Sequence, residues 1–150
     1  MQKPNQVLLT KISLPFIRPS LVWRSRLQQQ IALGLRVPLT VVIAPAGFGK
    51  TTLVASSVAG FGLPVTWLSL DKNDNQIERF LNYLVAAFQE TDSTIGREAA
   101  QLLAGIQHVP PETVLTSLIN NLGTLRNEMI LVLDDYHFIS SQDVHDQVTF

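Results

Sequence analysis

The sequence predicts an α/β fold in which a parallel sheet carries helices on both faces. Two observations predict it. Short uncharged β-branched runs alternate with longer stretches of helical periodicity. The runs are apolar at nearly every position rather than at every second one, the mark of strands buried on both sides. The chain has 150 residues, of which 46% are hydrophobic and 15% charged. That is room for one domain with one core, and a globular rather than a disordered composition.

The elements follow in order. Residues 1–20, with prolines at 4, 15 and 19, read as irregular. Leu21, Arg24, Leu27, Ile31 and Leu35 recur at near-helical spacing, and Gly34 and Pro38 mark the end of that helix. Residues 39–44, Leu-Thr-Val-Val-Ile-Ala, read as a buried strand. A Gly-rich turn leads into a helix over 50–59, stopped by Gly60, Gly62 and Pro64. Residues 65–70 are a second strand. Asn75 with Glu78 three residues on is a capping pair for a helix built on Ile77, Phe80, Leu81, Leu84, Val85 and Phe88. Helices over 97–106 and 111–123 follow. Residues 129–133 are a third strand, ending in Asp134-Asp135, and Ser140 with Asp143 caps a last helix.

Composition removes several classes of function. With no cysteine, disulfides and cysteine-based zinc sites are excluded. His108, His137 and His145 lack metal-ligand spacing and read as surface or hydrogen-bonding histidines. No apolar run reaches the roughly 18–20 residues of a membrane span, and the N-terminus lacks signal-peptide features. A cytoplasmic protein without a membrane partner is expected. The net charge is −1, but residues 1–70 hold seven Lys/Arg and no acid, while residues 71–150 hold four Lys/Arg and all twelve Asp/Glu. A basic field around an anionic ligand fits this asymmetry. The basic residues are too dispersed to favour direct DNA binding.

The segment Ala44-Pro45-Ala46-Gly47-Phe48-Gly49-Lys50-Thr51 follows the phosphate-binding P-loop pattern, with Ala in place of the first Gly. Glycines let the backbone curl so that successive N–H groups face phosphate oxygens. The helix that follows presents its N-terminus to the same anion. Ala46, Gly47, Phe48, Gly49, Lys50, Thr51 and Thr52 are the expected nucleotide-binding residues. Lys50 reaches the β- and γ-phosphates and Thr51 places a hydroxyl on Mg²⁺. Some 80 residues on, the hydrophobic run Ile130-Leu131-Val132-Leu133 ends in Asp134-Asp135, as a Walker-B strand does. Asp134 is the expected Mg²⁺ residue. Asp135, with Lys50, is the expected catalytic residue, orienting or polarising an attacking water. The expected fold is therefore a three-layer P-loop NTPase. These residues leave ATP and GTP equally open.

Four blocks, spanning residues 10–145, resemble the MalT-like LuxR-type transcription regulators among the signal-transduction ATPases with numerous domains. The first is Thr10-Lys11-Ile12-Ser13-Leu14-Pro15 with Arg18 and Leu21-Val22-Trp23-Arg24-Ser25-Arg26-Leu27. The second is the P-loop through Leu53, Ala first. The third is Trp67-Leu68-Ser69-Leu70-Asp71 with Asp74-Asn75 and Phe80. The last is Leu131-Val132-Leu133-Asp134-Asp135-Tyr136-His137. The resemblance implies an ATP-dependent switch: ADP holds a closed monomer, and inducer with ATP drives self-association and DNA binding through a C-terminal domain. It implies ATP and ADP as nucleotides, Val22 to Arg24 bordering the adenine, and Arg18 near the nucleotide.

The resemblance further implies that the sheet's later strands lie outside these residues, including one between the P-loop strand and the Walker-B strand. Residues 1–36 are then an N-terminal segment and helix, and 37–150 a partial NTPase domain, truncated before its later strands and marginal or aggregation-prone by itself. Slow, timing-related hydrolysis is expected of the whole protein. A P-loop phosphotransferase would need acceptor-binding residues and a basic lid. An AAA-type motor would need an arginine finger. Neither set is visible.

Overall fold

The computed structural model describes residues 7–17, 24–105 and 108–150. Its elements are α1 (Leu9–Ile12), α2 (Ser25–Gly34), α3 (Lys50–Ala59), β1 (Val65–Ser69), a 3₁₀ turn (Lys72–Asn75), α4 (Ile77–Thr91), α5 (Arg97–Ala104), α6 (Pro111–Gly123), β2 (Ile130–Asp134), a 3₁₀ turn (Tyr136–Phe138) and α7 (Gln142–Val148).

The α/β alternation and the parallel pairing hold. β1 and β2 run parallel, with Val65 opposite Ile130 and Ser69 opposite Asp134. The β-strand period of two then sorts side chains to opposite faces. Leu68 and Leu133 turn towards the larger apolar cluster, where α4 contributes Phe80, Leu81, Leu84 and Phe88 and α6 contributes Val114, Leu115 and Leu118. Trp67 and Val132 turn towards a smaller cluster with Ala55 and Val58 of α3. Helices therefore cover β1 on both faces, and Trp67 is only 1% exposed. Thr66, also buried, shares its hydroxyl with Thr91 of α4 at 2.8 Å, which satisfies the polar atom on an apolar face.

Residues 39–44 depart from expectation: they form no strand. Backbone N–H and C=O groups make a strand only by pairing across a ladder. Among the described residues no backbone hydrogen bond reaches 39–43. The apolar side chains that read as a buried strand are open instead, with Leu39 77% and Ile43 89% exposed. The sheet described here has two strands, β1 and β2.

The expected caps also differ. Asn75 does not cap α4; Gln76 holds the N-cap position and makes no side-chain cap bond. The capping box sits one turn earlier, where Asp71 accepts from Asn73 N and Asp74 from Asp71 N. Asn75 is occupied elsewhere, since its amide donates to the carbonyls of Lys72 and Phe138. Likewise Ser141, not Ser140, holds the N-cap position of α7, without a side-chain cap bond. The N-terminal stretch holds the short helix α1, anchored by the burial of Ile12. Among the described residues no helix is long and apolar enough to cross a membrane.

Candidate functional site

Two turns, one before α3 and one after β2, build the site. In the first, Gly47 and Gly49 adopt positive φ of 81° and 75°. This left-handed region favours glycine, and Gly49 uses it as the N-cap of α3. No side chain caps α3, so its leading N–H groups have no side-chain acceptor and point at the loop they follow. A Cβ at either glycine would meet nothing within 4 Å, so the space above the loop is open.

Lys50 closes the loop from beneath. Its Nζ donates to Ala44 O at 2.9 Å and to Pro45 O at 3.3 Å. The Phe48 N–H donates to Pro45 O at 3.4 Å, and the Phe48 side chain is exposed. Arg24, at the start of α2, donates from Nη1 to Phe48 O at 3.4 Å. Of the three residues that the resemblance places about the nucleotide, Arg24 thus reaches the Gly-rich loop. Arg18 and Val22 lie outside the described residues.

The second turn supplies carboxylates. Asp134 closes β2, and its backbone carbonyl accepts from Leu70 N at 3.0 Å, which fixes the end of the strand. Its side chain accepts from the Thr51 hydroxyl at 2.8 Å and from its neighbour Asp135 N at 3.0 Å. Burial pushes the Asp134 carboxyl above the ordinary carboxylate value, and the charge of Asp135 adds to this. The Thr51 bond and the Lys50 charge oppose the shift. Asp135 is the one non-glycine residue with positive φ among the described residues, at 56°. Its carboxylate, part-exposed, lies 3.7 Å from His137 Nδ1.

The structure therefore brings Lys50, Thr51, Asp134 and Asp135 to one end of the molecule, with Ala46, Gly47, Phe48, Gly49 and Thr52 in the loop and first helical turn beside them. The sequence places His137 among surface or hydrogen-bonding histidines. It is exposed, as expected, yet it stands beside Asp135, a neighbour that its place two residues further on could have suggested. Asn75 was read as a cap, and its bond to Phe138 O ties the turn after β1 to the loop after Asp135. Among the described residues no group of three His, Asp or Glu is arranged to hold a metal ion. A divalent ion here would take few protein ligands. The Thr51 hydroxyl and the Asp134 carboxylate are hard oxygen donors already side by side, which suits Mg²⁺.

No protein-family model matches the chain. It is similar to the HTH-type transcriptional regulator MalT of Serratia proteamaculans strain 568, 36% identical over 141 residues. It is also similar to the HTH-type transcriptional regulators MalT of Klebsiella pneumoniae strains ATCC 700721 / MGH 78578 and 342, each 33% identical over 141 residues. Each match covers 94% of this chain and 16% of the regulator. The chain thus spans 16% of the length of the curated relatives it matches.

Proposed function

We propose that this chain, a segment of a MalT-like transcriptional regulator, is that regulator's Mg·ATP-binding switch module, built on a three-layer P-loop NTPase fold. The observation that carries the reading is the 2.8 Å bond from Thr51 to Asp134. It joins two motifs that lie far apart in sequence and that have a common purpose only around a metal-bound phosphate.

Each group has a task in this reading. The uncapped N-terminus of α3 and the curled loop offer N–H donors to the phosphates. Lys50 exchanges two neutral carbonyls for phosphate oxygens, because an anionic acceptor adds ion-pair attraction to the hydrogen bond that its ammonium already makes. Thr51 directly, and Asp134 through water, would hold Mg²⁺, which neutralises phosphate charge when bound. Asp135 orients a water molecule. Arg24, with Arg18 and Val22, borders the base and the nucleotide. Phosphoryl transfer depends mainly on positioning and electrostatics, and among the described residues no arginine is assigned to the γ-phosphate, so hydrolysis is slow and acts as a timer. A turnover above roughly 1 s⁻¹ would count against the switch. Self-association belongs to the whole regulator and DNA binding to its C-terminal domain, and the protein works in the cytoplasm.

The test is a thermal unfolding scan with and without millimolar Mg·ATP, with Lys50→Ala as control. Nucleotide at about 100 times its Kd should add roughly 2.7 kcal/mol of stability. The wild type should shift and the variant should not. A cooperative transition in the wild type that ignores Mg·ATP would overturn the proposal.

A further inference from the structure

We infer that Asn75 is a positioning residue for Asp135, an inference that rests on the nucleotide-site reading above only for its functional consequence. The Asn75 amide spends its whole hydrogen-bonding capacity on backbone. Its Nδ2 donates to Lys72 O and to Phe138 O, both at 2.9 Å. Its Oδ1 accepts from Ser140 N at 2.7 Å and from Ser141 N at 2.8 Å, with the Ser140 hydroxyl at 3.4 Å. An amide has two donor hydrogens and two acceptor lone pairs. A flipped amide would set its NH₂ against two N–H groups, so the partners themselves fix its orientation.

One side of this clamp is rigid. The turn that carries Asn75 is closed by the reciprocal bonds of Asp71 and Asp74. Asp74 is fully buried and is paired with both Lys11 and Arg79. The other side is the eight-residue stretch from Asp134 to Ser141. The β1 ladder holds its first residue, through Leu70 N to Asp134 O. Asn75 holds three of its last four, Phe138, Ser140 and Ser141. Between these anchors Asp135 adopts the left-handed conformation, with φ 56° and ψ 32°. That region costs free energy for any residue but glycine, less for Asp than for most, and the surroundings decide whether it is occupied. The distance between the anchors sets how tightly the chain must turn, and hence where the Asp135 carboxylate points. Removing the distal anchor frees Asp135 to relax without touching Lys50, Thr51 or Asp134.

The experiment compares wild type, Asn75→Ala and Asn75→Asp by amide exchange and NMR, and by Mg·ATP binding and hydrolysis. In Asn75→Ala the Ser140 and Ser141 amides should exchange about tenfold faster or more, and the Asp135 amide resonance should move. The ladder amides of β1 and β2 should keep their rates. Hydrolysis should fall by about tenfold or more, as in Asp135→Asn, with Mg·ATP affinity held within about threefold. Asn75→Asp keeps the acceptor but loses the bond to Phe138, so it should move the same signals by less. It decides the matter if the alanine variant does not fold. An Asp135 resonance and Ser140 exchange unchanged in both variants would overturn the inference. So would binding and hydrolysis that fall together with faster ladder exchange, the behaviour of a residue that only stabilises the fold. Should the wild type fail to bind Mg·ATP, the nucleotide-site reading falls, and the exchange and resonance data still decide whether Asn75 holds Asp135.

Discussion

The Thr51 hydroxyl donates to the Asp134 carboxylate at 2.8 Å, across a separation of 83 residues. One partner opens α3 and the other ends β2, so the bond gathers a helix and a strand that the sheet itself does not bring into register. On the reading that Thr51 and Asp134 hold Mg²⁺, Asp134 through water, Asp134→Asn keeps the shape and removes the charge. We expect ATP affinity without Mg²⁺ to change little, and the gain on adding Mg²⁺ to shrink by about tenfold or more, the worth of a bond to a charged group. Calorimetric titration with and without a chelator measures both. An equal Mg²⁺ gain in wild type and variant would remove Asp134 from the metal site.

Two carboxylates should respond to pH in opposite senses. Burial raises the Asp134 pKa from its ordinary 3.8. The folded state then holds the proton more tightly than the unfolded chain. Its contribution is fully present below the unfolded pKa and is lost as pH rises through the folded one. Asp71 is shifted down, first by its bond to Lys11. Its contribution is present above the unfolded pKa and is lost as pH falls through the folded one. Urea midpoints between about pH 3 and pH 7 should show this. The stability of wild type relative to Asp134→Asn should fall as pH rises. Relative to Asp71→Asn it should fall as pH drops. Parallel curves would contradict both assignments.

The parts legible in the sequence were those whose signal is local. The period of Ile77, Phe80, Leu81, Leu84 and Phe88 found α4, because one face of a helix must be buried to be stable. The order Gly47, Gly49, Lys50, Thr51 located the loop, because only glycine enters the left-handed turns at φ 81° and 75° without cost. What failed depends on partners distant in the chain. Residues 39–44 have the composition of a buried strand, yet a strand needs a neighbour, and composition does not say which backbone supplies it. Asn75 and Glu78 had the spacing of a cap, but the Asn75 amide found Phe138, Ser140 and Ser141 instead. The Lys11 contacts with Asp71 and Asp74 carry no periodic signal at all.

The open apolar run gives a third prediction. Leu39, Val41 and Ile43 are exposed, alternate residues of a segment whose sequence reads as β-prone. Such a segment is a template for pairing between copies. Ile43→Lys should lower the light scattering of concentrated samples on warming. Because the side chain is 89% exposed, folding stability should stay within about 0.5 kcal/mol of wild type. Unchanged scattering would show that this segment does not drive self-association.

The last prediction concerns the N-terminal anchor. Lys11 lies buried with its Nζ 2.8 Å from Asp71 Oδ2, also bonded to Asp74, and 4.5 Å from the centre of the Tyr83 ring. Asp74 has no solvent access and depends on Lys11 and on Arg79, whose Nε stands 3.1 Å away. Lys11→Met keeps the aliphatic stem and removes the charge, leaving Asp74 buried with one cation in place of two. Removing one partner of a buried pair costs about 3 kcal/mol or more. Arg79→Met should cost less, since the Arg79 side chain is 36% exposed and water shares its charge. Urea denaturation of both variants gives the order. If Lys11→Met left the midpoint unmoved, α1 would not be held by this ion cluster, and the burial of Ile12 with the bond from Leu8 N to the Tyr83 hydroxyl would have to account for its docking.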